Sequence, residues 1–381
     1  MKRIVILLFF ATSGLLGFFL LNNYQAKIKI QKKFPEKKIT ATNNKTKKID
    51  ITSTSIFIPY WSLDEQIREL NEYDNLIYFG ISTSKLGINK QESGYNGIEK
   101  FISLVPSGKK KLLTLRMIDD DVNMFVLENE DIQEKIIKES LEIIEENKFD
   151  GIVLDLEISD VLNKDTPIQI DNFVHKFYTA TNENYRAFFL TIYGDSFFRG
   201  RPFDVPFLAK NSDGILIMAY DFHKSRGEPG PNFPFESGPS SAKATAGKLK
   251  YQYNFKKMIS DFSKSVAKEK LTVVFGMFGY DWLVDEKKRP IRQAEALSLS
   301  EINNKFIAKC EFKNCVIKRD TVSKETEINY ITSSPTPDEE NIYRIDYHIV
   351  WFEDEESVEI KTEYLKERGI GNISFWAFGY F

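Results

Sequence analysis

The octapeptide Asp150-Gly-Ile-Val-Leu-Asp155-Leu-Glu157 is the stretch from which the fold can be worked out. Its apolar middle is typical of a buried strand, and side chains alternate along a strand, so Val153, Asp155 and Glu157 share one face. In a barrel of parallel strands that face points inward. Asp155 and Glu157 then stand at the carboxyl-end mouth, where barrel enzymes keep their chemistry. Two such carboxylates repel each other, which favours a protonated acid at neutral pH. A strand end whose acids simply face solvent explains the octapeptide alone equally well.

Seven further apolar runs accompany this strand, and the intervals between the runs are helical in pattern. In Asp131–Asn147, for example, apolar residues recur at helix spacing. Apolar strands that alternate with helices predict a parallel sheet, and eight of them predict a closed (β/α)8 TIM barrel of the α/β class. The predicted strands are Ile56–Trp61, Leu76–Phe79, Leu112–Leu115, Gly151–Glu157, Phe188–Ile192, Gly214–Tyr220, Leu271–Gly276 and Ile373–Trp376.

The interval between the seventh and eighth strands is too long for one helix. Residues 285–347 contain one helical stretch and two strand-like stretches, which predicts a small α+β insertion between strand 7 and helix 8. The last barrel helix is expected from about Asp354 to Arg368, followed by a glycine C-cap. Cys310 and Cys315 lie inside the insertion, and the sequence is compatible both with a small disulfide and with two buried thiols.

Several motifs resemble those of the family 18 glycoside hydrolases, the chitinase family. Three of them fall in order on the predicted strands four, six and eight. Two others look like the subgroup that contains bacterial spore-germination and cortex-lytic N-acetylglucosaminidases. The resemblance implies that residues 51–381 form one barrel domain. The first three motifs are Asp150–Glu157, Met218-Ala-Tyr-Asp221 and Gly369–Trp376, and the subgroup motifs are Gly279–Trp282 and Val350–Asp354.

The resemblance implies a substrate-assisted retaining mechanism, in which the 2-acetamido oxygen of the substrate attacks the anomeric carbon. Glu157 would protonate the leaving oxygen, and Asp155 would hold the acetamido N–H. Tyr220 would donate its hydroxyl near the acetamido oxygen, Asp221 would contact the sugar, and Trp376 would form the apolar floor beneath it. The implied substrates are glycans with β-linked N-acetylglucosamine, such as peptidoglycan or chitin.

Other residues carry weaker signals. Tyr60, at the end of the first predicted strand, is compatible with stacking on a sugar and with core packing, and Tyr280 of the subgroup motif is expected to bind substrate. Asp150 has the opposite parity to Asp155 and is expected, with Gly151, to be structural. Three histidines without paired ligand spacing indicate no metal site, and no cofactor is expected.

Two positions depart from the family pattern. Val153 stands where the commonest motif has a third acid or an Asn, which shares a proton or hydrogen bond with the middle acid, here Asp155. This predicts an active protein with an altered pH dependence. Leu113-Thr-Leu-Arg-Met117 replaces the Ser-x-Gly-Gly end that many members have on strand three, which predicts a changed substrate cleft.

Composition and charge distinguish the amino-terminal end from the rest of the chain. With 42% hydrophobic and 28% charged residues, the protein is of the globular class. Residues 1–50 hold eleven Lys or Arg and two acids, and the acidic remainder argues against a nucleic-acid partner. The apolar run Ile4–Leu21 predicts a signal-anchor, or a cleaved signal peptide, within residues 1–21, followed by a basic flexible tether over residues 22–50. We expect a monomer with an extracytoplasmic barrel, held at the cell membrane or secreted if the segment is cleaved.

Two functions of different classes fit these residues. The first is a hydrolase of β-linked N-acetylglucosamine glycans. The alternative is a non-catalytic, lectin-like glycan-binding barrel, because this fold has members that bind sugar after losing the acid. Glu157, Asp155 and Tyr220 are all present, which favours the hydrolase.

Overall fold

The computed structural model describes residues 52–65, 70–159, 164–238, 249–333 and 345–381. The predicted anchor and tether, residues 1–21 and 22–50, lie outside these ranges. Within the ranges, no helix is long and apolar enough to cross a membrane. The strands in this part of the chain are β1 Ser53–Pro59, β2 Asn75–Ser84, β3 Gly87–Ile88, β4 Lys110–Met117, β5 Gly151–Leu156, β6 Ala187–Tyr193, β7 Gly214–Ala219, β8 Leu271–Gly276, β9 Phe278–Val284, β10 Glu295–Ser298, β11 Lys313–Arg319, β12 Thr326–Ser333, β13 Ile345–Phe352 and β14 Asn372–Trp376.

Eight parallel strands close into a barrel, as the sequence predicted. The strand order is β1-β14-β8-β7-β6-β5-β4-β2, and β1 pairs in parallel with both β14 and β2, so the sheet has no free edge in the barrel. The short β3 adds an antiparallel pair on β2. The first strand ends earlier than predicted, at Pro59, and Tyr60–Ser62 form a 3-10 turn instead. This turn carries Tyr60 and Trp61 over the mouth of the barrel.

The helices surround the barrel and bury one face each. In the helix Glu130–Glu146, for example, Ile136, Ile137, Ile143 and Ile144 are buried, in line with the predicted helical spacing. The helices are α1 Ser93–Asn96, α2 Ile98–Leu104, α3 Asp120–Glu128, α4 Glu130–Glu146, α5 Thr166–Glu183, α6 Ser196–Arg199, α7 Val205–Lys210, α8 Phe255–Ser265, α9 Leu299–Ile302 and α10 Glu355–Arg368, with short turns at Leu70–Glu72 and Lys268–Lys270 and a π-turn at Asn303–Ile307.

The last helix is bounded by two capping structures. Asp354 and Ser357 form a reciprocal capping box at the start of α10, in which each side-chain oxygen accepts a hydrogen bond from the backbone N–H of the other residue. Gly369 follows the helix with φ of 79°, in the left-handed region that glycine adopts at low cost. Both ends agree with the boundaries predicted from the sequence.

The interior of the barrel is filled by apolar side chains that point inward from the strands. Val153 is one of them: it packs in one cluster with the inward side chains of other strands, whereas its neighbours Ile152 and Leu154 pack in the other core cluster, as the predicted parity of β5 requires. Below the mouth there is therefore a packed core rather than a pore. The buried interior residues are Phe57, Ile77, Phe79, Leu112, Val153, Leu216 and Val274, together with Ala377.

The inserted module is a five-stranded antiparallel sheet with the order β10-β9-β13-β12-β11. It extends from Phe278 to Phe352 and is wider than the predicted range 285–347. The difference arises because β9 begins only two residues after barrel strand β8 ends, and because β13 runs almost to helix α10. Cys310 and Cys315 form a disulfide in this module, which selects one of the two states that the sequence left open.

A buried ion cluster joins the module to the barrel. Lys361 of α10 is fully buried, and its Nζ lies 2.9 Å from Glu325 Oε1 and contacts Glu353 Oε2. Glu325 also accepts hydrogen bonds from the backbone N–H groups of Asn232 and Phe233, at 2.5 and 2.8 Å. Lys361, Glu325 and Glu353 are termed the lysine cluster below. The cluster ties α10, the inserted sheet and the β7–α8 connection together.

Candidate active site

Two acids lie together where β5 ends at the mouth of the barrel. Asp155 is the last but one residue of the strand and is only 3% exposed. Glu157 follows the strand directly, and its backbone N–H donates to the carbonyl of Met117 on the neighbouring strand at 2.8 Å. Asn123 also donates its side-chain amide to the carbonyl of Glu157 at 3.1 Å. Because both ends of this peptide segment are fixed, Glu157 keeps the inward orientation that the alternation of β5 predicts.

Hydroxyl groups from the next strand hold both carboxylates. Thr191 Oγ1 donates to Asp155 Oδ1, and Tyr193 Oη donates to Glu157 Oε2 at 2.8 Å. The pairing of Val153 with Phe189 sets this register, since it places Thr191 level with Asp155 and Tyr193 level with Glu157. Neither hydroxyl residue was predicted from the sequence, although the two alternate along β6 with the period of an inward face.

Burial changes the protonation of the acid pair. Burial and, after it, the charge of Glu157 raise the pKa of Asp155 to about 8, whereas the hydrogen bond from Thr191 and the charge of Arg116 act in the opposite direction. The pKa of Glu157 is also raised by burial, against the hydrogen bond from Tyr193. The pair therefore retains a proton at neutral pH.

Tyr220 and Asp221 follow strand β7 at the same end of the barrel. Tyr220 packs against Phe278 with ring centroids 5.8 Å apart, and burial keeps its pKa well above the ordinary value, so it remains a hydroxyl donor. Asp221 has a left-handed φ of 58°, which is costly for a residue with a side chain. Two contacts hold it: its N–H donates to Asn232 Oδ1, and its Oδ1 accepts from Tyr280 Oη, both at 2.7 Å.

An aromatic wall and floor complete the mouth. Trp376, at the end of β14, packs edge-on to Phe79 at 4.6 Å, against Phe57 at 5.7 Å and against Trp61 at 6.5 Å between ring centroids. Trp61 is 47% exposed and lines the cavity. Tyr60 does not line it; its ring packs against Trp61 and on the guanidinium of an arginine in the cavity wall.

Asp150 and Gly151 lie at the opposite end of β5 and serve the fold. Asp150 Oδ2 accepts the backbone N–H of Lys111 at 2.7 Å, which fixes the start of β4 beside β5. A Cβ at Gly151 would stand 2.4 Å from the carbonyl oxygen of Ala187, so only glycine permits this approach to β6. Neither residue reaches the mouth.

These side chains surround one cavity of about 930 Å³ at the carboxyl end of the barrel. The cavity is lined on the barrel side by Asp155, Glu157, Tyr220 and Asp221, and on the side of the inserted sheet by Tyr280. The described residues contain no cluster of three or more His, Cys, Asp or Glu side chains that could hold a metal ion. The cavity offers proton donors and acceptors beside a stacking surface, which suits the binding of a sugar ring.

A closed (β/α)8 barrel with a proton-bearing acid pair and a tryptophan floor at its mouth defines the class of barrel glycosidases. The comparison with known proteins agrees with this class. The chain belongs to the glycosyl hydrolases family 18, whose sequence profile matches residues 37–380. This confirms the resemblance found in the motifs.

Several relatives and solved structures are similar to this chain. The cortical fragment-lytic enzyme of Bacillus cereus is 26% identical over 182 residues, which are 46% of this chain and 37% of that protein. The chain thus spans little more than a third of this relative. The crystal structure of the spore cortex-lytic enzyme SleL from Bacillus cereus superposes with a TM-score of 0.63 at 18% identity, over 86% of this chain and 71% of the other. A group IV chitinase of Ostrinia furnacalis gives 0.70 at 16% identity, over 86% and 93%.

Proposed function

We propose that this protein hydrolyses glycans with β-linked N-acetylglucosamine by the substrate-assisted retaining mechanism. The observation that carries the proposal is the acid pair: Glu157 faces the cavity, its pKa is raised by burial, and Tyr193 fixes its orientation. A general acid must hold its proton at working pH and release it in the transition state.

The reaction begins with the sugar seated over Trp376. The acetamido carbonyl oxygen attacks the anomeric carbon and forms a C–O bond, while the glycosidic C–O bond breaks and Glu157 gives its proton to the leaving oxygen. The intermediate is a positively charged oxazoline-type ring. Water then attacks the anomeric carbon, Glu157 accepts the proton of that water, and the acetamide is released. No covalent bond to the protein forms in either step.

Asp155 and Tyr220 act on the acetamido group in this scheme. Asp155 accepts the acetamido N–H and, when ionised, stabilises the positive charge that develops on the ring. Tyr220, which stays protonated, donates to the acetamido oxygen. Asp221 and Tyr280, joined by their hydrogen bond, contact the sugar from the side of the inserted sheet. Each role needs only the groups that line the cavity.

Peptidoglycan is the substrate that we favour over chitin. The support is the relative named for its action on cortical fragments and the structural similarity to a spore cortex-lytic enzyme, together with the subgroup motifs at Gly279–Trp282 and Val350–Asp354.

The test is the activity of the purified full-length protein on peptidoglycan and on N-acetylglucosamine oligomers, beside Glu157→Gln. Cleavage by the parent and a loss of at least about a hundredfold in the variant support the proposal, since removal of a general acid has that effect. Binding without turnover in both proteins would assign the lectin-like alternative instead.

We further propose that the protein is a monomer held at the cell membrane by residues 1–21, with the barrel outside the cytoplasm. The support is the apolar run Ile4–Leu21 and the disulfide between Cys310 and Cys315, because disulfides persist in oxidising compartments. Protease added to intact cells should degrade the barrel. A barrel that is cleaved only after lysis would contradict this location.

A further inference from the structure

One side chain in the cavity wall has no part in the mechanism above. Arg116 lies on β4 directly beside Asp155, with which it is paired in the parallel register, and therefore points inward at the same level. It lines the same cavity as the two acids. Its side chain is only 7% exposed, although the cost of burying an arginine is high unless its charge is compensated.

The compensation of Arg116 is incomplete. Its Nη2 donates to Glu92 Oε2 at 2.8 Å, and Glu92 is itself 36% exposed at the rim. The ring centroids of Tyr60 and Phe79 each lie 5.2 Å from the guanidinium carbon, so both rings contact the group. Its Nε is buried and has no hydrogen-bond partner among the residues that the structure describes. Asp155, which stands beside it, is a weak counter-charge because burial favours its neutral form.

A second buried arginine, Arg201, provides a comparison, because the protein compensates its charge and its hydrogen-bond donors. The side chain of Arg201 is 5% exposed. Its Nε and Nη2 donate to the two carboxylate oxygens of Asp195 at 2.9 and 3.0 Å, and its Nη1 donates to the carbonyl of Ser159 at 2.8 Å. Every side of that guanidinium is therefore bound within the protein. Arg116 differs because it lines the cavity and is held, within the described part of the chain, by a single ion pair, to the partly exposed Glu92.

We propose that Arg116 binds a carboxylate of the substrate, namely the free lactyl carboxylate of a 3-O-lactyl amino sugar next to the cleaved N-acetylglucosamine. A planar guanidinium matches a carboxylate through paired hydrogen bonds. The two rings hold the guanidinium plane in place, so little conformational entropy is lost on binding. The inference rests on the proposed function and names the substrate group that would distinguish peptidoglycan strands from uncharged oligomers.

A free lactyl carboxylate arises only after another reaction, so this protein would act after that reaction. In intact peptidoglycan the lactyl carboxyl is joined to a peptide through an amide and carries no charge. Hydrolysis of that amide adds water across the C–N bond and leaves a carboxylate on the sugar and an amine on the peptide. An amide hydrolase must therefore act first, and peptide-free strands are the substrate that Arg116 selects.

The experiment compares three substrates: peptide-free strands with lactyl carboxylates, the same strands with those carboxylates converted to primary amides, and neutral N-acetylglucosamine oligomers. The full-length protein should cleave the carboxylate strands with a kcat/KM about 10- to 100-fold above that for the amidated strands, the effect of one charged hydrogen bond. Arg116→Gln should lose that preference, so that it cleaves carboxylate and amidated strands with equal kcat/KM. Arg116→Lys should keep part of the preference, and Arg289→Gln, on the exposed β9–β10 turn, should keep all of it.

Several outcomes would overturn the inference. Equal losses by Arg116→Gln on all three substrates, with a shifted pH–rate profile, would show that the residue acts through Asp155. Equal cleavage of carboxylate and amidated strands by the unchanged protein would exclude carboxylate binding without any variant, even if Arg116→Gln failed to fold. If the unchanged protein cleaves nothing, the proposed function fails. In that case, calorimetry of the unchanged protein with carboxylate and with amidated strands tests Arg116 separately. Equal affinities for the two strands would reject carboxylate binding by Arg116.

Discussion

In the part of the chain that the structure describes, two pairs of buried carboxyl groups can be compared, and they differ in what surrounds them. In the lysine cluster, Lys361 lies between Glu325 and Glu353, and all three side chains are fully buried. At the mouth, Asp155 and Glu157 have hydroxyl partners from β6 and face a cavity. Burial raises the pKa of Glu353 to about 8, against the charge of Lys361, and it raises that of Asp155 to a similar value. Burial alone therefore does not separate a structural acid from a catalytic one.

The two pairs differ in how many hydrogen bonds their carboxylate oxygens accept from the protein. In the lysine cluster, Glu325 accepts two backbone N–H groups besides Lys361, and Glu353 accepts Ser357 besides Lys361. These acids have no access to a substrate. The mouth pair has one hydroxyl donor for each acid, so an oxygen of each is left for the ligand. We infer that the cluster stabilises the fold and that the mouth pair stores a proton.

The largest expected effect concerns the mouth. Glu157→Gln should lower kcat by about 10²- to 10⁴-fold, because it removes the general acid, and should leave the thermal midpoint within a few degrees. Steady-state assays and thermal unfolding of the same preparation measure both. Glu301→Gln is the matched control, since Glu301 also lines the cavity but serves the capping box of α9. A variant at position 157 that kept full activity would remove the distinction between the two pairs.

The second effect concerns the cluster. Lys361→Met should lower the free energy of unfolding by about 3–5 kcal/mol, because it leaves the buried Glu325 and Glu353 carboxyl groups without the cation that donates to both. Urea unfolding measures the change, and Lys366→Met on the same helix, which is partly exposed, should cost less than about 1 kcal/mol. If Lys361→Met left stability unchanged, the cluster would not be the structural counterpart that we describe.

A third prediction concerns stability and pH. The folded-state pKa of Asp155, about 8, lies above its value of about 3.9 in an unfolded chain. Between these values the folded protein binds more protons than the unfolded chain, so this residue lowers stability as pH rises through that window. Asp155→Asn should therefore be more stable than the parent at pH 8, by on the order of 2 kcal/mol, and should lose this advantage near pH 4. A difference that does not depend on pH would contradict the raised pKa.

The smallest expected effect concerns the departure at Val153. Val153 is fully buried one layer below Asp155 and offers that acid no hydrogen bond. In Val153→Asn, an amide would donate to the Asp155 carboxylate, lower its pKa and extend activity to more acidic pH by roughly one unit. The pH dependence of kcat measures the shift, and Val153→Leu serves as the apolar control. An unchanged acidic limb would show that the missing polar neighbour has no role.

The sequence was sufficient for the barrel, the acid pair and the last helix, because these follow from patterns within single segments. The alternation of β5 alone places Asp155 and Glu157 inward. Thr191 and Tyr193 depend on the register between β5 and β6, which no local pattern gives. The burial of Lys361 was equally hidden, since α10 is rich in Glu and Lys and resembles a solvated helix. Its two acidic partners lie 36 and 8 residues away.

The width of the inserted sheet was underestimated for a related reason. Its first strand follows β8 so closely that only one strand, Leu271–Gly276, was predicted where the structure has two. This arrangement also brings Tyr280 to the cavity, since β9 leaves the barrel from its mouth. Arg116 was seen only as a departure from the family pattern, because its lack of compensation depends on Glu92, Tyr60 and Phe79, which come from other segments.

The closure of the barrel has a consequence for when the protein becomes active. The strand that carries Trp376 seals the barrel by pairing with the first strand, and the contact between Thr52 and Asn372 spans 320 residues of the chain. Contacts over such distances form late and slowly during folding. A nascent chain emerging from the ribosome would already contain Asp155 and Glu157 but would lack the floor that a sugar needs. The proposed glycosidase activity therefore arises only when β14 has been synthesised and the barrel is complete.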